Sequence, residues 1–169
     1  MAYLMANTSN VYEMKFGRPQ SIIAPKALPN CAIVTLDALN EGDDHVRTVK
    51  PEAKDTAVGQ FVIVAPEINV EQYRMVDNSI AKFSLEQNEI YSAYELKLLD
   101  RLEFSADYFP SVPTVGQTVK IAADGKLTDH QEGGCLKVIS VREQRLPMVM
   151  INGVLSPASV KMVKVEVVK

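Results

Sequence analysis

Residues 91–127 constrain this chain more than any other stretch. Leu102-Glu103-Phe104-Ser105 alternates apolar and polar side chains, the pattern of a strand with one buried face. Val119 and Ile121 then alternate with Thr118 and Lys120, and Asp124-Gly125 supplies residues able to take the positive φ angles of a tight reversal. Two half-buried strands and a sharp turn within one short segment require a compact β unit.

The same pattern recurs along the chain. Residues 31–36 (Cys-Ala-Ile-Val-Thr-Leu) read as a buried strand after Pro29-Asn30, and residues 60–65 (Gln-Phe-Val-Ile-Val-Ala) as another, closed by Pro66. Between them lies a polar stretch, 37–59, around one strand at 45–50. Residues 135–141 follow a Gly133-Gly134 turn and carry apolar side chains on both faces. Residues 147–151 and 154–155 flank Asn152-Gly153, a short-range hairpin signal, and Val163, Val165 and Val167 alternate with Lys164 and Glu166 on a terminal strand. Residues 70–82 and 91–102 fit helical and strand spacings about equally, and periodicity leaves that choice open. Recurrent strands with Gly and Pro turns, and no convincing long helix, predict an all-β chain. The expected architecture is an antiparallel sandwich or barrel with an extended N-terminal arm and at most short helices.

The arm is residues 1–30. A short strand at 11–16, with Tyr12, Met14 and Phe16 on one face, sits among breakers: Asn7-Thr8-Ser9-Asn10, Gly17-Arg18-Pro19, Pro25 and Pro29-Asn30. Such a segment either lies on the sheet edge or reaches a neighbouring subunit by strand addition. Residues 31–169 form the β-rich globular part, with 106–114 as the place where two small β subdomains would meet.

Composition narrows the function classes. Of 169 residues 47% are hydrophobic, so the chain folds, and with no Trp its core must be built mostly from Val, Ile, Leu and Met. Eighteen basic and 21 acidic residues give a net charge of −3, which argues against a surface built for duplex DNA or for an anionic membrane. Cys31 and Cys135 each precede an apolar residue and read as two buried small hydrophobes or as one disulfide. The first residues lack a basic region and an apolar core, and no run reaches the ~20 apolar residues of a membrane span, so synthesis and folding in the cytoplasm are expected.

A search for chemistry returns little. His45 and His130 stand in polar stretches beside Asp43-Asp44 and Asp129, with no short-spaced ligand set. Glu41, Asp43 and Asp44 lack the ladder of a calcium loop, and nothing sets Glu95, Asp100 and Glu103 opposite each other as an acid/base pair. There is no nucleophile elbow and no phosphate loop. The expectation is therefore no enzyme, no catalytic residue, no metal and no cofactor. Tyr108-Phe109-Pro110, three bulky residues in a loop between strands, read as a contact surface or as packing beneath the loop.

Two segments carry a resemblance. Ala93-Tyr94-Glu95-Leu96-Lys97 with Asp100-Arg101-Leu102-Glu103-Phe104-Ser105, and the run from Val115-Gly116-Gln117-Thr118-Val119 to Ala123-Asp124-Gly125-Lys126-Leu127, resemble parts of the capsid decoration (cement, or head-auxiliary) proteins of tailed bacteriophages. The chain departs from compact members in its longer N-terminal segment and in the polar 37–59 stretch. The resemblance implies a non-enzymatic virion protein on the capsid surface, often a homo-oligomer, partnered by the major capsid protein and reinforcing contacts between capsomers. The contacts expected on that reading involve Tyr12, Phe16, Arg18, Tyr108, Phe109 and Pro110. Competing readings are a head-fibre or tail component and a small-ligand or carbohydrate-binding β domain.

Overall fold

A computed structural model of the chain describes residues 6–64, 84–151 and 154–169. Among them the architecture is all-β, as expected, with thirteen strands and one short helix. Residues 70–82, whose state the sequence leaves open, lie outside the described residues.

The strands form two main sheets. A six-stranded antiparallel sheet has the order β1 (Ala6–Asn10), β9 (Arg101–Ser105), β13 (Val154–Val167), β12 (Leu136–Ile151), β10 (Thr118–Ile121), β11 (Leu127–His130). The intervening chain closes a five-stranded barrel: β2 (Gln20–Ile23), β5 (Val46–Lys50), β4 (Ile33–Leu39), β6 (Phe61–Val64), β8 (Ile90–Glu95). Its neighbours are antiparallel except β2 and β5, which run parallel. A small pair, β3 (Leu28–Pro29) and β7 (Ser84–Leu85), adds Leu28 and Leu85 to the barrel's core.

Strand periodicity of two explains how both sheets are buried at once. On β4, Val34 points into the barrel while its neighbour Ile33 joins the core shared with the six-stranded sheet. On β6, Ile63 points in and Val62 points out; on β8, Tyr91 and Ala93 point in while Tyr94 packs outward. The outward set meets Leu102, Phe104, Val119, Ile121, Leu136, Val138, Val163, Val165 and Val167 of the sheet. The barrel wall therefore has no solvent face here, which is why residues 31–36 and 60–65 read as continuous apolar runs.

Several expectations need correction. Residues 11–16 do not form a strand: Val11 is buried in the shared core and Tyr12–Phe16 is a helix, α1. Nor is the N-terminal segment a free arm beyond that point, because β2 is a barrel strand and Ile22, Ala24 and Leu28 are core residues. The edge strand is instead β1, Ala6–Asn10, in the polar run read as a breaker, and it pairs with β9. Residues 91–102 resolve into strand β8, a turn and strand β9. The chain passes from barrel to sheet in that turn, at residues 96–100. The polar 37–59 stretch is partly structural: β4 runs on to Leu39, Lys54 bridges Ile121, and the buried Ala57 donates its N–H to the Lys169 carbonyl at 2.7 Å.

The Asp124-Gly125 reversal joins β10 to β11 as foreseen, with the Gly125 N–H donating to the Ala122 carbonyl (3.1 Å) and the Ala122 N–H to that of Lys126 (2.9 Å). Gly125 alone takes the positive angle, at φ +80°, and a Cβ there would stand 2.8 Å from Ala32 Cβ on the barrel. Its carbonyl also accepts the Ile33 N–H at 3.0 Å, so this turn is where the sheet touches β4 most closely. Gly125→Ala should cost about 3 kcal/mol in urea unfolding, from left-handed backbone strain plus overpacking. Gly42→Ala is the control: its φ is +82° but nothing lies within 4 Å, and strain alone should cost about 1 kcal/mol. Equal losses at both sites would contradict the close contact.

Candidate docking surfaces

The longest element is one the sequence suggests only in fragments. Residues 135–141, 147–151, 154–155 and 163–167 merge into two strands, β12 and β13, paired from Leu136↔Val167 to Ile151↔Val154 with register shifts at Val138/Ser140 and Leu146/Val149. Sixteen residues at ~3.3 Å each give β12 a length of roughly 50 Å. Only its root is flanked. β10 accompanies β12 at Leu136 and Lys137, with backbone bonds as far as Val138, and β9 accompanies β13 from Glu166 to Met162. Beyond Arg142↔Met162 the two strands pair only with each other among the described residues, as a ribbon extending about 30 Å.

Three features fit the sequence to that ribbon. The Asn152-Gly153 hairpin signal stands between the last paired residues, Ile151 and Val154. The prolines that break the apolar pattern fall at one register shift, where Pro147 and Met148 on β12 stand opposite Pro157 on β13. A bulge of two residues against one accommodates residues that cannot donate to a ladder. At the root, Arg142 grips the buried Glu103 on β9 through two bonds, Nε to Oε1 at 2.6 Å and a terminal nitrogen to Oε2 at 2.9 Å, reaching across β13. The bond to Glu103 holds the Arg142 guanidinium above its ordinary pKa, and the planar fork fixes the angle at which the ribbon leaves the sheet.

At the opposite end of the same sheet is a recess of about 450 Å³ lined by Asn10, Val11, Tyr12 and residues 97–100. Its geometry is set by Asp100, 4% exposed. One carboxylate oxygen accepts the Tyr12 N–H at 2.8 Å and the other the Lys97 N–H at 2.8 Å, while the Asp100 carbonyl accepts the Val167 N–H at 2.9 Å. This one residue ties α1, the turn and the end of β13 together. Between Lys97 and Asp100 the turn presents Leu98 and Leu99, 58% and 65% exposed. Leu99 takes φ +70°, a conformation in which a bulky side chain is strained.

Of the residues expected at contacts, Tyr12 is on the surface beside this recess, with Lys97 Nζ 5.5 Å from its ring centre, and Arg18 and Pro110 are exposed. The Phe16 side chain lies outside the described set. Tyr108 and Phe109 are corrected as surface residues, because both are buried in the shared core. The Tyr108 ring packs tilted against Phe104, centroids 4.9 Å apart, and its hydroxyl donates to the Asn30 carbonyl. Phenol burial pushes the Tyr108 pKa well above its ordinary value. The aromatic loop is a plug between sheet and barrel; the bulk that suggests a contact is used internally.

Other groups resolve simply. Cys31 and Cys135 are both free and buried, so no disulfide forms. Asp43 accepts the N–H groups of His45 (2.8 Å) and Val46 (3.2 Å), which makes the acidic stretch an entry turn to β5. His45 and His130 are exposed, and no group of three His, Cys, Asp or Glu gathers among the described residues. Asp100 and Glu103 are spent on backbone N–H groups and on Arg142 respectively. A scan against family models and searches of curated proteins and of solved structures find no match to this chain.

Two predictions follow from these placements. Asp100→Ala strands two backbone donors and should cost about 2–4 kcal/mol in chemical unfolding, where removal of the exposed Asp124 carboxylate should cost under 1. Burial pushes the Cys31 thiol from 9.0 to about 12. The folded state thus favours the neutral thiol, and its stabilising contribution is intact below pH 9 and declines as pH rises from 9 toward 12. Cys31→Ala should flatten the fall of stability across that window, measured by urea unfolding at stepped pH. An unchanged slope would assign the alkaline loss to other groups.

Proposed function

We propose that this chain is a non-enzymatic structural protein of a virion, one that decorates the outside of a phage capsid and reinforces contacts between capsomers. The major capsid protein is its partner on this reading, and the decorating unit is an oligomer. The observation that carries the reading is the ribbon: a doubly sheeted body with a hairpin extending about 30 Å beyond it can bridge to an adjacent molecule. A two-stranded ribbon is marginal alone in water, so a neighbour that covers it supplies what the third strand does elsewhere.

The shared core suits the mechanical side of the role. Reinforcement requires that a load taken at one point appear at another, and two sheets locked across a common wall transmit displacement with little compliance. Exposed Tyr12, Arg18 and Pro110 remain proposed contacts to the shell, with Phe16. Resemblance in residues 93–105 and 115–127 supports a capsid partner in particular; those segments form β9, β10 and the turns around them.

Cosedimentation with purified, DNA-filled phage shells tests this. The intact chain should bind saturably. A variant with residues 146–158 replaced by Asn-Gly keeps the Arg145↔Ser159 pair and its folded body, and should bind at least tenfold more weakly. No saturable binding by the intact chain, or equal binding by both, would reject the proposal.

A further inference from the structure

We propose that the outer face of the six-stranded sheet, at Lys137 and Lys164, docks on a carboxylate-rich protein surface that supplies two anions this face lacks. This rests on the reading of the chain as a shell-binding protein, and it names the chemistry the shell offers.

The strands that build this face carry a charge balance opposite to that of the whole. β9, β12 and β13 hold six basic and three acidic residues, while the rest of the chain holds twelve and eighteen. Strand alternation sorts those charges by side. Leu102, Leu136, Val138, Val163 and Val165 point into the shared core. Lys137, Lys164, Glu166, Arg101, Glu103 and Arg142 therefore belong to the opposite face.

The register of the strands shows the deficit. Lys137 stands directly opposite Glu166, and Lys164 directly opposite Glu103, the positions in which cross-strand ion pairs form. Neither pair is made. Arg101 Nε bonds Glu166 Oε2 at 2.8 Å, and Arg142 grips both oxygens of Glu103. Arginine meets a carboxylate with a planar fork where lysine offers a point charge, and here each carboxylate is taken by the arginine. Among the described residues no carboxylate lies within ion-pair reach of Lys137 or Lys164. Elsewhere the lysines are matched: Lys50, Lys54, Lys97 and Lys120 pair with Asp37, Glu52, Glu13 and Asp55.

Geometry and charge together select the partner. Lys137 is exposed and Lys164 half-buried, and they stand diagonally across β12 and β13, roughly 7–8 Å apart at the backbone. Two carboxylates placed two residues apart on an extended partner strand are about 7 Å apart, which fits that spacing. Two free cations match too few phosphates for a duplex, whose binders neutralise about 6–10. A lipid surface returns too little per basic residue for two lysines to hold an otherwise acidic molecule. A protein surface adds shape and hydrogen bonding, and there such cations set register and the rate of encounter.

Chromatography on immobilised poly-L-glutamate tests the face without shells. The intact chain should be retained at low salt and released by added NaCl. Lys137→Glu with Lys164→Glu should abolish retention. Lys26→Glu with Lys126→Glu, in the β2–β3 and β10–β11 connections, makes the same change in net charge and should keep most of it. Should the reversed pair lower the melting temperature, Lys137→Gln with Lys164→Gln removes the charges alone and should at least halve the salt needed for release. No retention of the intact chain, equal losses in the two reversed pairs, or firmer binding to duplex DNA or to phosphatidylserine vesicles would overturn the proposal. In cosedimentation with shells, the reversed Lys137 and Lys164 pair should bind at least tenfold more weakly than the intact chain, and equal binding would overturn it too. A chain held on poly-L-glutamate through these lysines that ignores shells rejects the capsid reading and keeps this one.

Discussion

The structure depends on a wall used from both sides. Strands β4, β6 and β8 put alternate residues into the barrel and onto the six-stranded sheet, so Ile33 and Val34, or Val62 and Ile63, serve different cores one residue apart. A single-residue slip in any of these strands exchanges the two sets and disturbs both cores at once. Register is therefore doubly specified. Tyr108, lodged among these residues with its hydroxyl on the Asn30 carbonyl, and Gly125, set against Ala32, fix the distance between sheet and barrel. From that foundation β12 and β13 can run out past their neighbours, because the first residues of β12 and the last of β13 are held in a packed interior.

Much of the body was legible because local signals agreed with the long-range packing. Apolar runs at 31–36 and 60–65, the alternation at 102–105, and Asp124-Gly125 each mark an element that is present. The failures have physical causes. Residues 11–16 alternate like a strand, yet the Tyr12 N–H is captured by Asp100, eighty-eight positions away, and the segment coils. Pro25 and Pro29 suggested a loose arm, but Pro25 lies between β2 and β3 and Pro29 is the last residue of β3, and neither interrupts the barrel. Proline near a strand end is compatible with pairing on that strand's open side.

The docking surfaces were harder to read. The sequence divides this region into short pieces, 135–141, 147–151, 154–155 and 163–167, whereas Pro147 and Pro157 meet across one register shift of a continuous β12–β13 pair. Their nearly symmetrical placement about Asn152-Gly153 was the available clue. Tyr108-Phe109 read equally as a contact surface or as packing beneath the loop, because bulky loop residues have no periodicity to reveal which way they face; the structure buries both. Leu98 and Leu99 lie in the 91–102 stretch whose helix-or-strand spacing the sequence leaves open, and their exposure in a turn is visible only in the structure.

These features describe a molecule whose rigid part and reaching part are one continuous pair of strands. The ribbon's root is tied to β9 by the Arg142–Glu103 pair, and the far end of β13 is tied to the Asp100 junction beside the recess. Backbone hydrogen exchange followed by mass spectrometry, on the chain with and without purified phage shells, tests that account most directly. It predicts that amides in 142–161 and around 97–100 become at least tenfold more protected on binding, while barrel amides in 33–39 and 61–64 stay as slow as before. Protection gained in the barrel with the ribbon unchanged would contradict it.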